Sequence, residues 1–223
     1  MKKAAFYTLG CKVNQYETEA MAELFADSGY EIKEFTEVAD VYVINTCSVT
    51  NMGDRKSRQI IRRAKKLNPN AVIAVTGCYA QTAPDEVLAI EGVNLVLGTK
   101  DRKNIVTLVE ELNTESNINH VSDIMSNHEF EELQIKQYSN RTRAFIKIQE
   151  GCNQFCSYCI IPYARGPVRS RAKDDVVREI KELAHNGFKE IILVGIHVAS
   201  YGVDLGDTTL ESLIMDVDKI DGV

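Results

Sequence analysis

Six cysteines are the residues of this 223-residue chain best suited to chemistry, and three stand together in GCNQFCSYC, residues 151–159. Cys152, Cys156 and Cys159 are separated by three and then two residues, with Tyr158 just before the last. Three closely spaced thiolates in a loop that opens on glycine can hold three corners of an iron–sulfur cube, because soft sulfur donors suit such clusters. The fourth iron is then left without a protein ligand, and an open iron is a reaction site. Zinc would ask for four ligands, usually as two separated pairs. No second pair and no suitably spaced histidine lies nearby.

The other three cysteines each follow a short apolar run. KAAFYTL precedes Gly10-Cys11, VYVIN precedes Thr46-Cys47, and VIAVT precedes Gly77-Cys78. If the three runs are parallel strands of one open sheet, their carboxyl ends share an edge, which is where ligands bind in such sheets. Three buried structural cysteines are the alternative, a common fate for this residue. Three at equivalent strand ends favour a site instead, and a second cluster with one open iron is the natural reading.

The elements that must position these residues are legible as a series. Strands are expected at 3–9, 30–35, 41–45, 72–76 and 94–97, and helices at 16–28, 54–67, 84–90 and 105–112. Continuous apolar strands alternating with helices indicate a parallel sheet covered on both faces. The expected class is therefore α/β, with an N-terminal doubly wound parallel sheet (Rossmann- or flavodoxin-like) over residues 1–112. Residues 113–139 are polar, rich in Asn, Ser and Glu, and read as a linker. A second unit, 140–223, brings a strand at 144–149 into the cysteine loop. IIPYARGPVRSR follows, carrying Arg165, Arg169 and Arg171, and then a helix at 174–185, a strand at 190–195 and a helix at 209–220.

Composition is that of an ordinary globular chain, 44% hydrophobic and 26% charged. A net charge of −6 argues against general nucleic-acid affinity, DNA included, without excluding a local basic patch. Such a patch is expected on 54–67, DRKSRQIIRRAKKL, where Arg55, Arg58, Arg62 and Arg63 and three lysines crowd around a narrow apolar stripe. Contact with a phosphate backbone and an ordinary solvated face both remain open for it. No apolar run approaches the ~20 residues of a membrane span. The start, MKKAAFYTLGCKVNQ, shows no signal-peptide pattern. A thiol-reducing cytoplasm is the expected compartment, where cysteines bind metal or catalyse rather than pair.

The trio after a strand, with an aromatic before its last cysteine, resembles the radical S-adenosylmethionine (radical SAM) enzymes. That resemblance implies a 4Fe–4S cluster on Cys152, Cys156 and Cys159, SAM bound at its open iron, and Tyr158 beside the SAM adenine. TLGCKVNQYETEAM, ADVYVINTCSVTNMGDRKSRQIIR and VTGCYAQ are similar to the amino-terminal domain of the methylthiotransferases within that superfamily. There a second 4Fe–4S cluster is held by three cysteines, matched here by Cys11, Cys47 and Cys78. KVNQYETEAM and GCNQFCSYCIIPYARGPVRSR most resemble the branch that adds a methylthio group to C2 of N6-threonylcarbamoyladenosine at position 37, next to the tRNA anticodon. Sister branches modify isopentenyladenosine in tRNA or an aspartate of a ribosomal protein. The implied partners are the tRNA anticodon loop and an external one-electron donor such as flavodoxin or ferredoxin.

The sequence departs from the family in two respects. Radical SAM cores usually have six βα units, whereas two are counted here, and no carboxy-terminal RNA-binding β-domain follows. The expectation is a fragment or truncated product, with an exposed apolar sheet edge prone to aggregation. A non-catalytic iron–sulfur or electron-transfer module is accordingly the alternative of another class. LVGIHVAS also stands where many radical SAM proteins have Gly-Gly-Glu for the SAM amine, leaving Gly195 as a weak candidate there and His197 as a residue that could line the pocket.

Overall fold

In the computed structural model, which describes residues 1–48, 51–112, 115–133, 135 and 143–222, strand and helix alternate. Strand β1 (Lys3–Thr8) leads into helix α1 (Lys12–Asp27), followed by β2 (Glu31–Lys33), β3 (Val41–Thr46), α2 (Asn51–Leu67) and β4 (Val72–Gly77). Next come α3 (Cys78–Thr82), α4 (Pro84–Leu88), β5 (Leu95–Leu97), a 3-10 turn at Arg102–Asn104, α5 (Ile105–Glu110) and β6 (Ile118–His120). All six strands are parallel, in the order β2-β1-β3-β4-β5-β6.

The apolar runs are continuous because both faces of the sheet are covered. Along β3, Tyr42 and Ile44 pack with Ile60, Ile61 and Ala64 of α2. Val41 and Val43 point the other way, onto Met21 and Phe25 of α1 and Ile105, Val106 and Val109 of α5.

The second half forms β7 (Arg143–Glu150), α6 (Ile161–Arg165), β8 (Arg169–Ser170), α7 (Lys173–His185), β9 (Glu190–Gly195), a 3-10 turn at Val198–Ser200 and α8 (Leu210–Val217). Its sheet runs β8-β7-β9, with β9 parallel and β8 antiparallel to β7. Ala144, Ile146 and Ile148 face Val176, Ile180 and Leu183 of α7 and Leu213 of α8. On the opposite face of β7 and β9, Phe145 and Val194 meet Val13 of α1. One helix thus packs against both sheets.

Several features differ from the expected element series, among them α6 and β8 in the segment after the cysteine loop. Helix α1 begins directly after Cys11 rather than at residue 16. Its first two turns bury Asn14 and Glu17, polar residues that an apolar periodicity does not register. Helix α3 starts at Cys78 itself, too short to be seen by a helical repeat. Within the stretch read as a linker, Ile118–His120 adds the sixth parallel strand, paired with β5, while Ile124, Leu133 and Ile135 are buried. Residues 113–114, 134 and 136–142 lie outside the described residues. Among the described residues no helix is long and apolar enough to cross a membrane.

Candidate metal centres at the strand ends

A strand order of 2-1-3-4-5 puts the topological switch between β1 and β3, the crevice in which open α/β sheets bind ligands. Cys11 follows β1 and Cys47 follows β3, so two of the three thiols flank that crevice; Cys78, at the end of β4, comes next along the edge. The first two loops touch. A Cβ built on Gly10, whose φ is +104°, would stand 2.9 Å from Cys47 Cβ and 3.1 Å from its Sγ. Glycine is what lets the Cys11 turn pass so close to Cys47. A cavity of about 490 Å³ opens beside Cys11, lined by Thr8, Gly10, Lys12, Gln15 and Glu19. Cys11 is exposed, Cys47 half-buried and Cys78 buried.

The loop after β7 is held by its backbone. The Cys152 N–H donates to Gly166 O at 3.0 Å and the Cys159 N–H to Cys156 O at 2.9 Å, while Val168 N–H donates to Asn153 Oδ1 at 3.0 Å. Gly151 has φ +75°, and a Cβ there would fall 1.8 Å from Pro167 O, so no other residue fits without moving the chain. Phe155 adopts φ +46° at the loop's tip, unusual for an aromatic residue, and packs edge-on against Tyr163. Cys156 is exposed, Cys152 and Cys159 half-buried.

Among the described residues, no three His, Cys, Asp or Glu side chains close around one point. The fit to iron–sulfur clusters is instead one of donor chemistry and room: soft thiols in two sets of three, with Gly10 where a Cβ would fill the space beside Cys47.

Of the residues expected near SAM, Tyr158 projects into solvent at 91% exposure. Gly195 lies against Gln149, where a Cβ would come 2.9 Å from Oε1. Gln149 is buried; its amide donates to Gly151 O at 2.7 Å and its Oε1 accepts the His197 N–H at 2.8 Å. It therefore fastens the start of the cysteine loop to the turn after β9. His197 Nδ1 is engaged with Ser200 Oγ at 2.6 Å. On α2, Arg55, Arg62 and Arg63 are exposed, but Arg58 is tied back to the Tyr79 hydroxyl at 3.0 Å.

Between the two thiol sets lies a buried network that the amino-acid sequence does not announce. Arg102 contacts Glu17 at 2.6 Å, Glu131 at 2.8 Å and Glu150 at 3.3 Å. Lys147 lies 3.2 Å from both Glu17 and Glu150. Arg165 reaches Glu17 at 2.6 Å and Glu150 at 2.7 Å, and its Nε–H donates to Cys78 Sγ at 3.4 Å. Arg169 stands 3.7 Å from Glu150. The arginines after the cysteine loop were the only signal, and nothing along the chain pairs them with Glu17, 148 residues away.

Charge sets the behaviour of this network. Burial pushes the Glu17 carboxyl up, but Arg102, Arg165 and Lys147 outweigh it and hold it down at about 2. Glu150 is likewise held well below its ordinary value by Lys147, Arg102 and Arg165 against the pull of burial. Burial raises the Cys78 thiol, and Arg165 only partly offsets that. A carboxyl with a depressed folded pKa binds fewer protons folded than unfolded. Its stabilisation is full above the ordinary value of 4.5 and disappears as pH falls toward 2. Urea unfolding of the metal-free protein should show stability falling across that window. A flat profile would mean that the network carries no net charge–charge stabilisation.

Residues 3–98 match the family described as Uncharacterized protein family UPF0004, and residues 146–218 match the Radical SAM superfamily. Threonylcarbamoyladenosine tRNA methylthiotransferase MtaB of Bacillus subtilis (strain 168) is 52% identical over 100% of this chain and 50% of its own length. The protein of that name from Aquifex aeolicus (strain VF5) is 43% identical over 99% of this chain and 54% of its own. A tRNA-2-methylthio-N(6)-dimethylallyladenosine synthase of Dictyoglomus thermophilum (strain ATCC 35947 / DSM 3960 / H-6-12) is 35% identical over 99% of this chain and 51% of its own. The chain spans about half the length of the curated relatives it matches. In fold it is similar to the radical S-adenosylmethionine methyltransferase TsrM of Kitasatospora setae with cobalamin and a 4Fe–4S cluster bound, at TM-score 0.61 and 16% identity over 97% of this chain and 52% of that one.

Proposed function

We propose, for a chain that joins a UPF0004 domain to a radical SAM domain, that it serves as the cluster-bearing part of a tRNA methylthiotransferase acting on C2 of N6-threonylcarbamoyladenosine at position 37. The observation that carries the reading is the placement of six cysteines as two sets of three, one along the strand ends of a parallel sheet and one in the loop after β7. Relatives named for threonylcarbamoyladenosine range from 35% to 52% identity and relatives named for dimethylallyladenosine from 35% to 37%; the matches at 52% and 43% favour the former substrate.

Cys11, Cys47 and Cys78 would hold one 4Fe–4S cluster, and Cys152, Cys156 and Cys159 the other. When bound, the clusters and SAM would supply one-electron chemistry able to replace an unactivated aromatic C–H bond, a place for a sulfur species to bind, and the methyl group that completes the methylthio group. The chain's own residues position these groups. Gln149 fixes the Gly151 carbonyl relative to the turn at His197. Gly195 allows close backbone approach beneath that turn, and exposed Tyr158 is free to close over the adenine of SAM. A flavodoxin- or ferredoxin-like donor would deliver electrons in the cytoplasm.

Anaerobic reconstitution tests the reading. About eight irons and eight sulfides per chain are expected, with an electron paramagnetic resonance signal that changes on adding SAM. A signal indifferent to SAM would turn the assignment to a non-catalytic iron–sulfur module.

The exposed cations of α2, Arg55, Arg62 and Arg63, would meet the tRNA backbone, with Arg58 behind them. Replacing Arg62 and Arg63 by Glu should weaken tRNA binding and lower the slope of log K against log salt by about 2. Filter binding across a KCl series reads both. An unchanged slope would leave α2 as a solvated face.

A further inference from the structure

Arg165 stands where both thiol sets can be reached. It closes α6, and its five N–H donors meet five acceptors. Nη1 faces Glu17 Oε1 at 2.6 Å and Glu150 Oε1 at 2.7 Å. Nη2 faces Glu17 Oε2 at 3.1 Å and Asn14 Oδ1, and Nε faces Cys78 Sγ at 3.4 Å. A rigid planar fork held at four corners cannot swing its fifth donor away from the sulfur. The next residue completes the connection, since Gly166 O accepts the Cys152 N–H at 3.0 Å. Two consecutive residues therefore touch one cysteine of each set.

The charges point the same way. Arg102, Lys147, Arg165 and Arg169 face Glu17, Glu131 and Glu150 in this network. Four cations stand against three carboxylates, and the guanidinium of Arg165 lies beside the sulfur of Cys78. Among the described residues one positive charge in this network is in excess, and a metal-bound thiolate at Cys78 would balance it.

We propose that Arg165 is a positioning residue for the Cys78 sulfur, and that its N–H···S bond and buried charge raise the reduction potential of the cluster held by Cys11, Cys47 and Cys78. The inference rests on the reading that these three cysteines hold a cluster. A donor and a positive charge beside a ligand sulfur favour the more negative, reduced state, as hydrogen bonds to cluster sulfurs do generally. Through Gly166 the same residue fixes where the Cys152 loop stands relative to that sulfur.

The test is a dithionite titration followed by electron paramagnetic resonance, with Cys152, Cys156 and Cys159 replaced by alanine so that only the amino-terminal set can hold iron. Dithionite supplies the single electron the cluster gains. Removing Arg165 alone would leave Glu17 to Arg102 and Lys147 and change the charge balance around it, so Glu17→Gln with Arg165→Gln is compared with Glu17→Gln by itself. Losing the guanidinium should lower the equilibrium constant for reduction at least tenfold, about 59 mV for one electron. Arg165→Lys keeps the charge but not the fork, and should shift the midpoint in the same direction by less. A folded Arg165 variant that no longer assembles the cluster would also support the positioning role. Midpoints equal to their controls in both variants would overturn the inference. A parent that binds no iron would overturn the two-cluster reading itself, and the inference with it.

Discussion

Cys156→Ala is expected to drop reductive cleavage of SAM to background, a loss on the order of 10³-fold or more, because ligands that act as a unit do not share the work additively. The structure makes this substitution informative. Cys156 is exposed at the loop's tip, and its carbonyl, not its side chain, accepts the Cys159 N–H at 2.9 Å. Alanine keeps that bond and leaves Gly151, Asn153 and Gly166 in their contacts, so folding should change by no more than about 0.5 kcal/mol, as for surface substitutions generally. Release of 5′-deoxyadenosine under dithionite, measured beside the thermal midpoint, separates chemistry from stability. The amino-terminal cluster signal should persist. Cleavage that survives the substitution would sink the role given to the loop, and loss of both cluster signals would sink the two-site arrangement.

Glu17→Ala should destabilise the fold by about 3–5 kcal/mol, the usual cost of removing one partner from a buried ion network. Glu17 is fully buried and lies within 3.2 Å of Arg102, Lys147 and Arg165. Among the described residues, those cations would be left with Glu150 and Glu131 to answer them. The damage should extend beyond α1, because Glu17 belongs to the first sheet's helix while Lys147 and Glu150 belong to β7. Urea unfolding read by circular dichroism would give the loss, and limited proteolysis would show whether the two sheets come apart. Breaking the exposed Arg143–Glu190 pair, 3.0 Å apart, is the control and should cost little, since solvent screens it. Equal effects at the two sites would remove the case for a structural role of the buried network.

Much of this architecture is legible along the chain because its signals are local. VYVIN and VIAVT are strands by β-branched content and length, and both are central strands in the structure. The Cys152, Cys156 and Cys159 spacing is likewise a property of a few adjacent residues. Placing Cys11, Cys47 and Cys78 along one edge needed only the assumption of a parallel sheet, and the strand order brings the first two to its switch point. The short elements were less visible. Helix α3 has five residues and β6 three in a polar stretch. Neither offers enough positions for a periodicity.

The cysteines and the α/β series were thus determined by the sequence itself, since ligand chemistry and strand propensity reside in residue type and short spacing. The partners of the polar residues were decided only in three dimensions. Nothing along the chain singles out Asn14, Glu17, Arg102 or Lys147. Packing α1 against both sheets buries all four with Glu150 and Arg165. Once buried, each charge must find its opposite, and those opposites lie up to 148 residues away. A sequence records which charges exist; only the fold decides which of them lose their water and whom they must then face.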